Sequence, residues 1–526
     1  MKKYFNLFDL SQKVNYKTEM LSGLTVALAL VPEAVAFAMI AGFSPLVGLY
    51  AAFMMGIVTS IFGGRPGMIS GATGAVAVVF GGLVEKLDAM GIAGEDNILP
   101  YVYATVILAG LMQILFGLLR LGKFIRLVPH SVMFGFVNGL AIIIFMAQFS
   151  SFYVNGNKDL GLLEKGPFMV MLGLVALTML IIWGLPKLTK AIPSSLAAII
   201  IVTLIVIGFD IDTLTIEQTL RDGKKISGGF PDFTLGLVPV SMETFWLILP
   251  TAGVIAGVGI IESLLTLNLV DEITQTRGRS NKEVVAQGTA NILSGMFNGM
   301  GGCAMIGQSL INTSNGARAR LSGIVASVML LVFIMFGSSL IEQLPMASLV
   351  GLMFMVAIGT FEWASFKVFN KMPKSDIFVM VVVVIVTLLT DLALAVLIGV
   401  IISALVFSWD NAKRIRARKY VDDQGIKHYE IYGPLFFGSV AVFNEKFDVA
   451  NDPDEVIIDF AESRVNDMSA IEALNRITKR YLDAGKVIHL KHLSPDCIKL
   501  LEDAEEVIDV NVLEDPTYKV VVDKLD

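Results

Sequence analysis

Apolar residues run along this chain in long blocks rather than in alternation. Between residues 20 and 408, stretches rich in Leu, Val, Ile, Ala, Phe and Met are divided by short segments carrying Gly, Pro and charge. A helix crossing the hydrocarbon of a bilayer needs about 20 such residues. The blocks predict crossings near 20–41, 45–62, 102–121, 131–149, 167–185, 192–209, 243–270, 284–298, 321–341, 346–359, 376–390 and 392–408. Two further pieces, 73–84 and 306–316, are too short and too rich in Gly to cross alone. Counting both gives 14 elements, an even number, so the two termini share one side.

Charge in the loops tests that count, because cytoplasmic loops carry an excess of Lys and Arg. With the N-terminus inside, the inner loops hold Lys2, Lys3, Lys13, Lys17, Arg65, Arg120, Lys123, Arg126, Lys187, Lys190, Arg277, Arg279, Lys282, Arg318, Arg320, Lys367, Lys371 and Lys374. The outer loops hold Lys86, Lys158, Lys165, Arg221, Lys224 and Lys225, a ratio of 18 to 6. Acidic Glu85, Asp88, Glu95 and Asp96 fall outside. The basic run Lys413, Arg414, Arg416, Arg418 and Lys419 then keeps the tail in the cytoplasm. The expected organisation is a cytoplasmic segment 1–19, a membrane domain 20–408, a basic linker 409–427 and a soluble domain 428–526. The first residues lack the apolar core of a signal peptide, so the first block is read as a retained span. The expected location is the plasma (inner) membrane, crossed many times.

Composition agrees: 55% of the 526 residues are hydrophobic and only 17% charged. A net charge of −7 removes any case for nucleic acid as partner. Cys303 and Cys497 sit far apart and form no metal or disulfide pattern with each other or with His130, His428, His489 and His492. No metal site and no cofactor is expected. No nucleophile–base pair or phosphate-binding Gly loop is present to support an enzyme.

The two short pieces point at a site. Many transporters are inverted repeats in which broken half-helices meet near the midplane. Here the run Gly63-Gly64-Arg65-Pro66-Gly67-Met68-Ile69-Ser70-Gly71-Ala72-Thr73-Gly74 leads into one short helix. The run Gly299-Met300-Gly301-Gly302-Cys303-Ala304-Met305-Ile306-Gly307-Gln308-Ser309 leads into the other. Each half also places one acid in an apolar helix. Glu33 precedes Thr73 by 40 residues, and Glu262 precedes Ile306 by 44. The matching order implies seven elements repeated twice, over about 20–209 and 243–408. Free N–H groups at a helix start carry partial positive charge and bind anions. Two opposed starts would hold a small anion without Lys or Arg. The competing reading is that these glycines only pack helices closely.

A carboxylate inside a membrane is costly and is functional by default. Beside an anion site it repels its ligand, and protonation lifts the repulsion, so proton and anion can enter together. A carboxylate could instead hold Na⁺. Pro32 loosens the helix ahead of Glu33, whose surroundings offer few oxygen ligands; Glu262, near Ser263 and Thr266, suits either ion. Asp391 reads as an outer loop residue and Glu362 as the end of a span.

These segments resemble the SulP (sulfate permease) family of anion transporters. PLVGLYAAF (45–53) is similar to the family's stretch after the first helix, and GGRPGMISGATGAVAVV (63–79) to its third-helix anion motif. SNKEVVAQGTANILSGMFNGMGGCAMIGQSLINTSNGARARLSG (280–323) is similar to its ninth- and tenth-helix region. The resemblance implies an all-α polytopic membrane domain of seven-plus-seven inverted repeats (UraA-like), divided into a core and a gate that move against each other. It implies anion contacts from Thr73, Gly74 and Ala75 and from Met305, Ile306, Gly307 and Gln308, with Phe37 lining the pocket. Glu33 and Glu262, with Thr266, match ion-coupling positions. Animal members carry Arg where Gln308 stands, and bicarbonate-transporting members carry Thr at Ile306 and no acid at Glu33. Those departures favour H⁺ over Na⁺ as the co-transported ion. A homodimer is also implied.

Residues 428–526 alternate strands and helices. HYEIYGPLFFG (428–438) reads as a hairpin-like pair, VIIDFA (456–461) and KVIHLKHL (486–493) as strands, and SAIEALNRITKRYLDAG (469–485) and CIKLLEDA (497–504) as helices. This small α/β pattern resembles the STAS domain, kin to anti-sigma-factor antagonists, and implies a role in assembly or regulation through a cytoplasmic protein partner. Ser469 stands where the antagonists are phosphorylated, though a Ser capping a helix is the simpler reading.

The expected function is secondary active transport of a small inorganic anion, sulfate or bicarbonate first, by proton symport. The alternatives are Na⁺-coupled bicarbonate symport and a passive exchanger or channel. A nucleobase permease shares the fold but not the STAS tail.

Overall fold

The computed structural model describes residues 15–513 apart from 93, 123–127, 154–160, 190–192, 220–227, 235–240, 369–370, 391, 494–496 and 498–510. Asp391, most of the CIKLLEDA helix, residues 1–14 with Lys2, Lys3 and Lys13, and the loop cations Lys123, Arg126, Lys158, Lys190, Arg221, Lys224 and Lys225 lie outside the described residues.

Each apolar block forms a helix, because in lipid only an intra-segment ladder satisfies every backbone group. In order they are α1 Tyr16–Ile40, α2 Pro45–Phe62, α3 Gly74–Ala89, α4 Glu95–Leu118, α5 His130–Ala147, α6 Lys165–Leu188 and α7 Ser194–Gly208. The second half repeats the order with α8 Met242–Thr274, α9 Ser280–Met296, α10 Ile306–Ser314, α11 Leu321–Glu342, α12 Met346–Thr360, α13 Lys374–Leu389 and α14 Leu392–Ala412. Among the described residues eight helices are long and apolar enough to cross a membrane. As expected, α3 and α10 are short, at 16 and 9 residues. Pro32 lies inside α1, which runs unbroken across it. At 33 residues α8 is the longest and projects beyond the hydrocarbon.

Helices pair mostly across the repeats. One group joins α1–α4 with α8–α11: α4 lies on α8 and α9, α1 on α11, and α2 on both α9 and α11. The other joins α5 with α12 and α13, and α12 with α6 and α7. The crossing of α4 and α9 shows why Gly is used so freely. A Cβ on Gly110 would fall 2.5 Å from the Gly288 carbonyl oxygen, and one on Gly288 would fall 2.6 Å from that of Gly110.

Cations assigned to the inner loops gather at one end of the first group. Arg65 pairs with Asp271 at 3.0 Å, and Arg320 donates to the carbonyls of Ser60 and Gly63 at 2.9 and 2.7 Å. Two acids that sequence reasoning passed over hold this end together. Buried Glu19 accepts from the N–H groups of Arg318, Ala319 and Ser322 at 2.7–3.0 Å, and buried Glu283 from those of Gly64 and Arg65 at 2.6 and 3.2 Å. Multiple hydrogen bonds offset the cost of burying each carboxylate.

The chain beyond residue 400 forms a separate unit. Its sheet has the order β3 Arg416–Val421, β4 Lys427–Tyr432, β5 Glu455–Glu462, β6 Val487–Lys491 and β7 Asn511–Leu513. The first pair is antiparallel and the others are parallel. The helix α15 (Met468–Asp483) buries Ile471, Leu474, Ile477 and Tyr481 on one face. Two expectations are corrected here. The hairpin is β3–β4, so it draws its first strand from the stretch read as linker, and Leu435–Gly438 leads instead into a short helix, Val440–Asn444. Ser469 is not the helix cap: Asp467 is, accepting from the Ala470 N–H at 2.9 Å.

Candidate functional site

The run Ser70–Gly71 (β1) pairs antiparallel with Cys303–Ala304 (β2), Ser70 opposite Ala304 and Gly71 opposite Cys303. This ribbon ties the approaches to α3 and α10 together, and the chain enters the two helices from opposite directions. Contact is so close that a Cβ on Gly302 would sit 1.9 Å from the Gly71 carbonyl oxygen. Extended backbone in the membrane must find partners, and the first group of helices supplies them. From α9, Gln287 donates to the Ser70 hydroxyl at 2.7 Å, and Asn291 both accepts from the Gly302 N–H and donates to its carbonyl, at 2.9 and 3.1 Å. From α8, the Ser263 hydroxyl accepts from the Ala304 N–H at 3.2 Å. The Met305 N–H donates to the Ile69 carbonyl at 2.9 Å.

Beyond the ribbon both helices begin without a side-chain cap, at Thr73 and at Met305. The Ala77 N–H is the first in α3 to reach an intrahelical carbonyl, that of Thr73, and the Ser309 N–H the first in α10, to Met305. The N–H groups of Gly74, Ala75 and Val76, and of Ile306, Gly307 and Gln308, therefore precede the ladders, as the first turn of any helix requires. Thr73, Ala75 and Met305 are buried, while Gly307 is exposed, with open space where a Cβ would be. At Gly74 a Cβ would meet Ile144 Cδ1 of α5 at 2.8 Å and Phe37 Cε1 of α1 at 2.9 Å. Phe37 of the first helix group and Ile144 of the second thus both lie against the start of α3.

Both membrane acids are tied to this centre. Glu33 shares a side-chain hydrogen bond with Gln308. Gln308 is 2% exposed, and its carbonyl oxygen has no partner. Glu262 accepts a hydrogen bond from the Cys303 thiol at 2.9 Å, and the same sulfur lies 3.3 Å from the Thr73 hydroxyl. The spacing of Cys303 in the sequence suits no metal, and a hydrogen-bonding role leaves no spacing signature. Thr266 does not join the group, because its hydroxyl donates to the Glu262 backbone carbonyl at 2.8 Å. Among the described residues no cluster of His, Cys, Asp or Glu could hold a metal ion.

A model of the sulfate permease family matches residues 16–383, and one of the STAS domain matches residues 418–516. The chain is 41% identical over 492 residues to "Putative sulfate transporter YbaR" of Bacillus subtilis (strain 168), covering 93% of this chain and 97% of that protein. It is 29% identical over 507 residues to "Bicarbonate transporter BicA" of Picosynechococcus sp. (strain ATCC 27264 / PCC 7002 / PR-6), covering 90% and 88%. Among solved structures, the transmembrane domain of a cyanobacterial BicA aligns with a TM-score of 0.64 at 32% identity over 73% of this chain and 98% of that one. Murine Solute Carrier 26 family member A9, in the inward-facing state, aligns at 0.80 and 18% identity over 95% and 90%, a likeness of fold.

Proposed function

This chain belongs to the sulfate permease family and is an anion transporter rather than an enzyme, and we propose that it carries sulfate or bicarbonate inward with protons by alternating access. The observation that carries this reading is the β1–β2 ribbon, which joins two uncapped helix starts beside two acids. The anion binds to the free N–H groups at the starts of α3 and α10. A cradle without Lys or Arg suits an oxyanion that must also be released.

Gln308 supports the choice of the proton. While Glu33 is ionised, the Gln308 amide N–H can donate to it and the Gln308 carbonyl oxygen stays orphaned. An unmet buried acceptor costs about 1–3 kcal/mol. A protonated Glu33 brings an O–H that can satisfy that oxygen, so proton uptake relieves the penalty and removes a negative charge from the cradle together. Phe37 and Ile144 bracket Gly74, and a slide of one helix group past the other would change that contact. On this reading α1–α4 with α8–α11 form the moving core, α5–α7 with α12–α14 form the gate, both termini are cytoplasmic, and the chain works as a homodimer whose STAS domain meets a protein partner.

Uptake into proteoliposomes tests it, with imposed pH or Na⁺ gradients and labelled sulfate or bicarbonate. Accumulation driven by an inward proton gradient is expected. Accumulation that follows Na⁺ and ignores pH would replace the proton reading, and pH-independent current without accumulation would make the protein a passive conductor.

A further inference from the structure

The thiol of Cys303 stands between an acid and the start of a half-helix, and its hydrogen count limits what it can do. A thiol has one hydrogen. Here it goes to Glu262 Oε2, so the contact with Thr73 must be the Thr73 O–H donating to sulfur. Thr73 is the N-cap of α3, yet its side chain caps nothing, and both Thr73 and Cys303 are buried. In this arrangement the hydroxyl proton is held by sulfur and is not offered to an anion.

We infer that Cys303 is a positioning residue that converts protonation of Glu262 into a free hydroxyl donor at the anion site. When Oε2 takes up a proton, the new O–H donates to Cys303 Sγ. The S–H then swings to the Thr73 oxygen, and the Thr73 O–H is released to point at the anion. One proton has been added, to Glu262, and every other hydrogen stays on its own heavy atom. The three groups thus reverse polarity in sequence. The inference rests on the proton-coupled reading above.

Other polar groups around α8 are already engaged. Ser263 holds the Ala304 N–H, and Thr266 holds the Glu262 carbonyl. Gln113 of α4 and Asn291 of α9 are bonded to each other, and Gln308 of α10 is bonded to Glu33 of α1. The charges of the basic end lie further along: Asp271, paired with Arg65, follows Glu262 by nine residues of helix, about 13 Å. Glu283 at the start of α9 is bonded to Gly64, Arg65 and Gln287. On α3, Glu85, Lys86 and Asp88 lie at the end remote from Thr73, and on α4, Glu95 and Asp96 open the helix, well before Gln113.

The test is binding of labelled sulfate to the purified full-length protein between pH 6 and 8. It is made in a Glu33→Gln background, so that any remaining pH dependence belongs to Glu262. Affinity is expected to rise as pH falls, with a limiting slope of about tenfold per pH unit for one proton. Cys303→Ser should keep the slope, because a hydroxyl also has one donor and an acceptor, whereas Cys303→Ala should reduce it to less than about half. An equal slope in the Ala variant, or an Ala-like loss in the Ser variant, overturns the inference and leaves proton coupling intact. Parental protein without any pH dependence overturns both, and dependence that vanishes with Glu33→Gln alone overturns the inference only. An infrared measurement avoids altering Cys303. With Cys497→Ala removing the only other thiol, the S–H stretch should move to higher frequency at low pH as its acceptor changes from carboxylate to hydroxyl. A band that does not move overturns the proposal.

Discussion

Replacing Thr73 by Val changes one oxygen into a methyl group at nearly constant volume, which separates the hydroxyl's chemistry from its bulk. Thr73 is 2% exposed, and its hydroxyl has a single contact, 3.3 Å from the Cys303 sulfur. Sulfur is a weak acceptor, so the loss to stability is at or below the ~1 kcal/mol of an ordinary hydrogen bond. The cost to anion binding is larger, because a hydrogen bond to a charged group contributes about 1.5–3 kcal/mol. That corresponds to a Kd weakened by roughly 10- to 100-fold. The assay is equilibrium binding of labelled sulfate at pH 6, with the melting temperature measured beside it. Thr73→Ser should bind within about threefold of the parent, since it keeps the O–H. A Val variant that melts normally and binds within about twofold of the parent would remove Thr73 from the site, and an equally large loss in the Ser variant would mean that its methyl, not its hydroxyl, matters.

Glu33→Gln should reduce proton-driven sulfate accumulation in proteoliposomes, because only Glu262 is left to bring a proton, while leaving sulfate binding within about tenfold of the parent; undiminished accumulation would refute its coupling role. Gly302→Ala places a Cβ 1.9 Å from a backbone oxygen and should cost about 3 kcal/mol or more, read as loss of monodisperse protein on size-exclusion chromatography, whereas Gly307→Ala, which meets nothing within 4 Å, should melt like the parent. In the STAS domain, burial and then the hydrogen bond to Asp452 push the Tyr429 phenol up to about 12, and burial raises Tyr481 as well. Folded-state values above the usual ~10 give a contribution that is complete below pH 10 and lost as pH rises to 12, about 2–3 kcal/mol for Tyr429. Calorimetry of the full chain should show the tail melting lower across that window, and a flat profile would contradict the assignment.

How much of this was legible in the sequence depended on the kind of signal. The 14 elements could be read because lipid forces an apolar span for each crossing, and the half-helices because Gly interrupts them where Ser70–Gly71 and Cys303–Ala304 pair. The acids Glu33 and Glu262 stood out against apolar neighbours. Cys303 did not, since buried cysteine behaves as a small apolar residue until a partner is known, and that partner lies 41 positions away in sequence. Glu19 and Glu283 were hidden for the opposite reason. Each lies near a charged helix end, where an acid is ordinary, and only the fold shows them buried on backbone N–H groups. Thr266 was ambiguous in sequence because a Thr four residues after an acid on one helix can donate either to the side chain or to the carbonyl below it, and it donates to the carbonyl.

The charge balance of the centre links these parts to stoichiometry. Two helix starts supply about half an elementary charge each, roughly +1 together. With both Glu33 and Glu262 ionised the empty cradle carries about −1, and a bicarbonate ion would bring it to about −2. Taking up one proton with bicarbonate returns the cradle to its starting charge, and sulfate requires two protons to do the same. Two acids are therefore enough to make either substrate electroneutral, and one acid is enough only for the monovalent ion. The structure also gives each acid its own neutral partner, Gln308 for Glu33 and Cys303 for Glu262, so the two can take up protons one at a time. A fixed Arg in place of Gln308 would add a permanent positive charge, hold one carboxylate ionised and remove the need for its proton. A neutral residue at position 308 keeps both acids available, and under the proposed proton coupling electroneutral transport of a divalent anion would need both.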